Sequence, residues 1–420
     1  MKKSNFQTFG CKLNSYETEI MESLCKKEGF KDVKIINTCA VTAEAVKKAK
    51  KTIRRSYREN ISKKIIVTGC AAQIKPETFS SMNEVDYVIG NEEKLSKTVW
   101  RNIKKANYTG PKSPKVIVND IMNIKNISPV LINKLGDRSR AYVQIQSGCD
   151  HRCTFCVIPF GRGNSRSVSL ETVLDQVEKL VNNGFNEIVL TGVDITSWGN
   201  DLPDQPRLGA LVHQILSKTP HLQRLRLSSI DSVEVDNELM DIIVNEQRFM
   251  PHLHLSLQSG SNLILKRMKR RHSREQAINF CQAIRLKRPE VTFGADIIVG
   301  FPTESNEMFQ HSVELVHECN LTWLHVFPFS AREGTPAARM PHTDQSTIKK
   351  RADTLRKLGQ TKIVEYLDSV VGEKHAILIE GNGKGRTETF AEVLVDPKLK
   401  AGVIKNLVAV NRNGLKLQCF

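Results

Sequence analysis

From Met1 to about Lys105, short apolar runs alternate with stretches of helical periodicity, a pattern that predicts a small parallel α/β sheet. The runs expected as strands are Asn5–Phe9, Val33–Asn37 and Lys64–Thr68. Between the second and third, Val46, Ala49, Ile53 and Tyr57 recur at the spacing of one helical face, which predicts an amphipathic helix over Ala45–Arg58. From about Asn107 to Asp137 periodicity weakens and Pro111, Pro114, Pro129 and Gly136 interrupt the chain, so a linker with an extra strand or two is expected. Ala141–Gln146 then alternates as a strand, and Ser169 is placed to cap a helix over Leu170–Asn183. Further strands are expected at Glu187–Thr191, Gln223–Ser228, His252–Gln258, Val291–Val299 and Trp323–Phe329, with helices between them. Six such repeats fall short of the eight strands and ~250 residues of a closed barrel, so a partial barrel with a lateral gap is predicted. A charged helix from Asp344 to about Val370 follows. Beyond Gly372, the runs His375–Glu380, Thr387–Val395 and Val403–Val410, with glycines at the turns, predict a small antiparallel β-barrel.

The fold class expected is therefore α/β, in five spans: 1–106 an N-terminal parallel α/β domain, 107–138 a linker, 139–342 a partial (β/α)6 barrel, 343–370 a connecting helix and 371–420 the small barrel. No segment approaches ~20 apolar residues, and Met1–Gln7 has two lysines with no apolar run behind them, so no membrane span is expected. The balance of 62 Lys+Arg against 45 Asp+Glu, net +17, favours polyanionic partners such as nucleic acid, a solvated basic surface being the alternative. Two stretches concentrate that charge. One is the outer face of the Ala45–Arg58 helix, with Lys47, Lys51, Arg54, Arg55 and Arg58; the other is Lys266–Arg274, with Lys269, Arg270 and Arg271 at its centre. Each is a candidate phosphate-binding face; the helix can equally be a solvated surface, whereas the six like charges of Lys266–Arg274 repel unless an anion visits, which weakens that alternative there.

Ten cysteines spread over 420 residues do not form the dense framework of a small secreted domain, so a reducing, cytoplasmic compartment is expected. Cys149, Cys153 and Cys156, in Ser147-Gly-Cys-Asp-His-Arg-Cys-Thr-Phe-Cys156, have a Cys-x3-Cys-x2-Cys spacing that can wrap one face of a four-iron cluster and leave one iron open. A zinc knuckle recruiting His151, or a redox pair with a spare thiol, is the alternative. Three more cysteines follow predicted strands: Cys11, Cys39 and Cys70. In open parallel sheets the residues beyond the strand ends share one crevice, so these thiols form a second candidate three-thiolate site, although a lone cysteine there is usually a small buried hydrophobe.

The central motif, with Phe155 at its aromatic position, resembles that of the radical S-adenosylmethionine (SAM) enzymes, in which the open iron chelates SAM and one electron cleaves it to a 5′-deoxyadenosyl radical. That resemblance implies a six-unit barrel with SAM at the strand ends near Gly192, Ser228, Gln258 and Gly300. Phe9-Gly-Cys-Lys-Leu-Asn14, Asn37-Thr-Cys-Ala-Val-Thr42, Thr68-Gly-Cys-Ala-Ala-Gln73, Leu257-Gln-Ser-Gly-Ser261 and Gly300-Phe-Pro-Thr-Glu304 extend the resemblance to the methylthiotransferases across almost the whole chain. Gly10-Cys-Lys-Leu-Asn14 and Gly192-Val-Asp-Ile-Thr196 are most similar to the threonylcarbamoyladenosine tRNA branch, with Trp198 where that branch more often has Tyr. The resemblance implies two 4Fe-4S clusters, with Cys11, Cys39 and Cys70 holding the auxiliary one, and SAM. It also implies tRNA as substrate, an electron donor, a sulfur source, and a C-terminal TRAM-like RNA-binding barrel. Arg162 and Arg166 are candidates to meet the carboxylate of the modified base with a planar fork, a phosphate contact or structural ion pair being the alternative. Within the family, an isopentenyladenosine tRNA or a ribosomal protein is the alternative substrate. Outside it, a non-catalytic iron–sulfur RNA-binding protein fits the same charge and thiols.

Overall fold

The computed structural model describes residues 5–59, 64–105, 115–127 and 139–420; Pro111, Pro114, Pro129 and Gly136 of the expected linker lie outside them. The chain packs as two units. The first comprises the chain up to Ile132 together with Gln146–Val168 and Ser330–Thr335; the second comprises Asn133–Ile145, Ser169–Phe329 and Pro336–Phe420.

The first unit is built on five parallel strands in sequential order: β1 (Phe6–Thr8), β2 (Val33–Thr38), β3 (Lys64–Gly69), β4 (Tyr87–Ile89) and β5 (Val116–Ile117). β5 is the extra strand expected in the linker. β2 is buried along its whole length, Lys34, Asn37 and Thr38 included, as a strand covered on both faces of a parallel sheet requires. The helix expected over Ala45–Arg58 runs from Ala43 to Arg58, and the Thr42 side chain accepts the Ala45 N–H at 3.2 Å. Ala49, Ile53 and Ser56 face inward. Tyr57 does not: in the last turn it stands in solvent and Ser56 takes the inward position.

The second unit opens with β6 (Ala141–Gln144); β7 (Gln146–Ser147) and β8 (Arg166–Ser167) then form a short antiparallel pair belonging to the first unit. The barrel continues in β9 (Glu187–Thr191), β10 (Arg224–Leu227), β11 (His252–Gln258), β12 (Thr292–Val299) and β13 (Leu321–Pro328). The pairs β6–β9, β9–β10, β11–β12 and β12–β13 are all parallel, and isolated parallel bridges link β10 to β11. These six strands fall where the apolar runs predict them. Asp344 caps the helix Gln345–Ser369, its carboxylate accepting the Thr347 N–H at 2.9 Å. β14 (Lys374–Gly381), β15 (Lys384–Arg386), β16 (Glu392–Leu394), β17 (Ile404–Asn413) and β18 (Lys416–Cys419) then close a five-stranded barrel around Ile377, Ile379, Val393, Ala409 and Leu417. The expectation of an antiparallel barrel needs one correction, because β16 and β18 pair in parallel and thereby close the ring. No helix among the described residues is long and apolar enough to cross a membrane.

Within the second unit, the small barrel meets the N-terminal ends of the large barrel's strands through charge. Glu187 on β9 is fully buried, with Arg226 Nε at 3.1 Å, Arg224 at 3.4 Å and Arg140 at 3.6 Å from its carboxylate. Arg140 also pairs with Glu380, and Arg226 donates to the Thr387 carbonyl at 3.1 Å. Phe390 fills the space between them, with the guanidinium carbons of Arg140, Arg226 and Arg386 4.6–5.3 Å from its ring centre and His252 stacked at 4.8 Å. Glu187→Gln leaves three buried guanidinium groups without their shared counter-charge, so a loss of about 3–5 kcal/mol is expected in urea unfolding of this unit. An unchanged midpoint would show that the other partners suffice.

Candidate functional site

All six candidate cluster ligands belong to the first unit. The sequence spans assign the two triads to different domains; the loop carrying Cys149, Cys153 and Cys156 instead packs with the N-terminal sheet. Val157, immediately after the loop, lies in the same apolar cluster as Cys70, Ala71 and Ile36. Gly161 approaches so closely that a Cβ there would lie 3.2 Å from Cys70 Cβ.

Cys11, Cys39 and Cys70 follow β1, β2 and β3. Two of them are preceded by glycines in the left-handed region, Gly10 at φ +101° and Gly69 at φ +96°, and in both cases any side chain would collide with the neighbouring strand end. A Cβ on Gly10 would sit 2.9 Å from Cys39 Cβ, and one on Gly69 would sit 2.3 Å from the Thr38 carbonyl oxygen. Cys11 stands at the N-cap of the helix Lys12–Lys27. Burial, aided by the Cys70 and Cys11 thiols, pushes the Cys39 thiol up to about 11. A cationic metal centre would remove the repulsion that the Cys70 and Cys11 thiols exert on Cys39.

Asn14, from the Gly-Cys-Lys-Leu-Asn motif, ties these ends together. Its side-chain amide donates to the Phe9 carbonyl at 2.7 Å and the Thr38 carbonyl at 3.1 Å, while its oxygen accepts from Arg162 at 2.6 Å. Arg162 is fully buried and donates through both terminal nitrogens to Glu17, at 2.7 and 2.9 Å. Lys94 reaches the same carboxylate at 2.7 Å and Asn91 at 2.6 Å; Asn91 in turn donates to the Gly161 carbonyl at 2.5 Å and lies 3.7 Å from Cys70 Sγ. Burial would raise the Glu17 carboxyl, but the guanidinium and the ammonium prevail and hold it at about 2. Burial lowers Arg332, brought in by Ser330–Thr335, and ionisation of Cys39 would oppose that shift.

The central loop is pinned to the chain that follows it. Gly148, at φ +75°, lies against Asn164, and a Cβ there would fall 1.8 Å from the Asn164 oxygen. Cys149 N–H donates to the Gly163 carbonyl at 3.1 Å, Arg152 bridges the Cys149 carbonyl and Asn164 at 2.7 Å each, and Asp150 accepts the Ser165 N–H at 2.9 Å. The three thiols and Phe155 are half-buried. The loop is thus fixed at both ends with its thiols accessible, as a site with an open ligand position needs.

The residues expected near SAM lie in the second unit at the carboxyl ends of their strands: Gly192 after β9, Ser228 after β10, Gln258 at the end of β11 and Gly300 after β12. Gln258 has φ +67° at a break in the β11–β12 register, strain of the kind that gathers at functional positions. Gly300 also has a packing reason to be glycine: at φ +71°, a Cβ would lie 2.4 Å from Ile348.

The arginine expectations require correction. The carboxylate that Arg162 meets is the protein's own Glu17. Arg166 is also buried, donating to the Arg162 carbonyl at 2.8 Å. In the basic run, Arg270 pairs with Asp231 at 2.6 Å, Arg271 with Glu234 and Arg274 with Glu318 at 2.6 Å, so half of the six charges have an internal acidic partner; Lys266 and Lys269 are exposed. The Ala43–Arg58 helix, in contrast, keeps Lys47, Lys51, Arg54, Arg55 and Arg58 in solvent. Sequence reasoning missed Glu17, Asn91, Lys94 and Arg332, which carry no spacing signal and gain their roles through contacts made over long chain separations.

Residues 143–316 match the Radical SAM superfamily, and residues 3–90 match the Uncharacterized protein family UPF0004. A threonylcarbamoyladenosine tRNA methylthiotransferase, MtaB, of Rickettsia prowazekii is 48% identical over 411 residues, covering 97% of this chain and 96% of that protein. The chain belongs to the threonylcarbamoyladenosine tRNA methylthiotransferase family of radical SAM enzymes. The Aquifex aeolicus member is 35% identical over 93% of this chain and 96% of its own. The tRNA-2-methylthio-N(6)-dimethylallyladenosine synthase of Neorickettsia sennetsu is 30% identical over 100% of this chain and 93% of its own. Among solved structures, the radical SAM methyltransferase TsrM of Kitasatospora setae, with cobalamin and a 4Fe-4S cluster bound, superposes with a TM-score of 0.58 at 13% identity, covering 86% of this chain and 74% of that one, a likeness of fold alone. Family membership implies SAM and a 4Fe-4S cluster.

Glu17→Gln is expected to cost about 3–5 kcal/mol by stranding two buried cations. Because the folded carboxyl lies below its ordinary 4.5, the pair's contribution is complete above that value and is lost as pH falls towards about 2. Acid unfolding of the wild type should therefore steepen across that window and flatten in the variant; parallel profiles would remove Glu17 as the cause.

Proposed function

We propose that this protein transfers a methylthio group to C2 of N6-threonylcarbamoyladenosine, the adenosine next to the anticodon of tRNA. The observation that carries this reading is the 48% identity to a threonylcarbamoyladenosine tRNA methylthiotransferase across nearly all of both chains, against 30% to a dimethylallyladenosine synthase. The C2–H bond is not acidic, so a side-chain base offers no route to it. Bound together, SAM and a 4Fe-4S cluster supply the radical chemistry that breaks such a bond. Cys149, Cys153 and Cys156 would hold that cluster, with Phe155, Gly192, Ser228, Gln258 and Gly300 as the SAM-facing positions. Cys11, Cys39 and Cys70 would hold a second, auxiliary 4Fe-4S cluster for sulfur delivery. Their mutual electrostatic influence and the neighbouring Arg162, Lys94 and Arg332 support an anionic metal–thiolate centre there. An electron donor and a sulfur source complete the reaction, and a reducing cytoplasm is the compartment that keeps these thiols available.

The tRNA would dock on phosphates through the exposed cations of the Ala43–Arg58 helix. Binding should weaken with salt at a log–log slope of roughly −0.7 to −0.9 per phosphate contact. Changing Lys51, Arg54 and Arg58 to Ala should make that slope shallower; an unaltered slope would show a merely solvated face.

Cys153→Ala should abolish 5′-deoxyadenosine formation while preserving the auxiliary cluster's spectrum. Changing Cys11, Cys39 and Cys70 together to Ala should retain SAM cleavage but insert no sulfur. The deciding comparison gives the reconstituted enzyme tRNAs bearing either the threonylcarbamoyl or the isopentenyl modification and scores methylthio product by mass. Product from the isopentenyl tRNA alone would overturn the substrate assignment.

A further inference from the structure

Three neighbouring strands of the large barrel each contribute one metal-ligating side chain to a single point: His254 from β11, Asp296 from β12 and His325 from β13. His254 Nε2 lies 2.8 Å and His325 Nδ1 lies 3.1 Å from the same oxygen, Asp296 Oδ1. All three donor atoms fall within 4.8 Å of one another, and the two imidazoles face each other at 4.6 Å between ring centres with a 38° tilt.

Register explains how the cluster forms. Asp296 is the direct partner of His325 across β12–β13, so these side chains emerge side by side. His254 is paired with Gly294, not with Asp296, and must lean along the sheet to reach the carboxylate. Gly294 makes this possible: a Cβ there would lie 2.7 Å from His254 Nδ1. The side-chain-free position is thus a cradle for the His254 ring and directs its Nε2 onto Asp296. His254 is nearly buried and His325 is exposed, which leaves one side of the cluster open to water. Burial alone would raise the Asp296 carboxyl, but hydrogen bonds from His254 and His325 hold it well below the usual range, so it is a carboxylate at neutral pH.

We propose that His254, Asp296 and His325, none of them a cysteine of either triad, bind a divalent first-row transition ion. Two imidazole nitrogens and one carboxylate oxygen suit zinc or iron(II) better than magnesium or calcium, which take oxygen ligands. With metal–ligand bonds of ~2.0–2.1 Å, tetrahedral geometry sets neighbouring donors about 3.3 Å apart, close to the 2.8 and 3.1 Å found here. Three protein ligands leave at least one position for water or an anionic oxygen entering from the His325 side. The proposal stands independently of the methylthio-transfer reading, since none of its ligands is a candidate cluster residue.

The test uses reconstituted full-length protein incubated with zinc chloride, desalted, and analysed for zinc, iron and sulfide. The wild type should retain about one zinc per chain more than Asp296→Asn or His325→Gln, with iron and sulfide equal in all three. His325→Gln, on an exposed side chain, guards against a folding defect in the buried variant. Zinc-edge X-ray absorption of the wild type should show nitrogen and oxygen ligands only. Equal zinc in wild type and variants, or sulfur in the zinc shell, would overturn the proposal, while loss of SAM cleavage would bear only on the functional reading.

Discussion

A carboxylate buried with two cations constrains the first unit more than any other contact. Glu17 lies on the helix that Cys11 caps, Arg162 follows the central cysteine loop, and Lys94 follows β4; each would be costly to bury alone. Together they close a network whose remaining hydrogen bonds reach Asn14, Asn91 and the backbone next to the thiols. The network therefore fixes where Cys11, Cys39 and Cys70 stand relative to the loop of Cys149, Cys153 and Cys156. Its positive members also lie close to the thiols, and Cys70 and Cys11 both act electrostatically on Arg162. The ion pairing that stabilises the fold thus also supplies the positive field that an anionic cluster requires.

The second unit uses a related device for a different end. Glu187 and its arginines hold the large barrel's base against the small barrel, with Phe390 as an aromatic wedge. This leaves the carboxyl ends of the strands, where Gly192, Ser228, Gln258 and Gly300 sit, free of structural duty to the C-terminal domain. Stability at one end of the barrel and chemistry at the other is the division that barrels of this kind show generally.

Much of this was legible in the apolar pattern. All six strands of the large barrel were, because each shows an apolar run or an apolar alternation bounded by turn residues. The placement of the cysteines was legible as well: Cys149, Cys153 and Cys156 share one loop, and Cys11, Cys39 and Cys70 each follow a strand. Side-chain partners were not. Arg162 reads in sequence as a candidate for the substrate carboxylate, with a structural ion pair as an alternative, and proves to be the counter-ion of Glu17; Arg270 proves to be that of Asp231. Charge runs report composition, whereas pairing depends on contacts far apart in the chain. The parallel closure of β16 on β18 was hidden for the same reason, since strand direction in a small barrel is set by long-range pairing.

The first unit is gathered from three separated stretches, the last of them Ser330–Thr335. A chain made from its N-terminus therefore presents Cys11, Cys39 and Cys70 long before the residues that hold them exist. Glu17 and Lys94 wait for Arg162 to leave the ribosome, and Cys39 waits for Arg332 until β13 has been translated. The thiols are thus made first and secured last, so the surroundings that fix them are complete only after β13 has been translated.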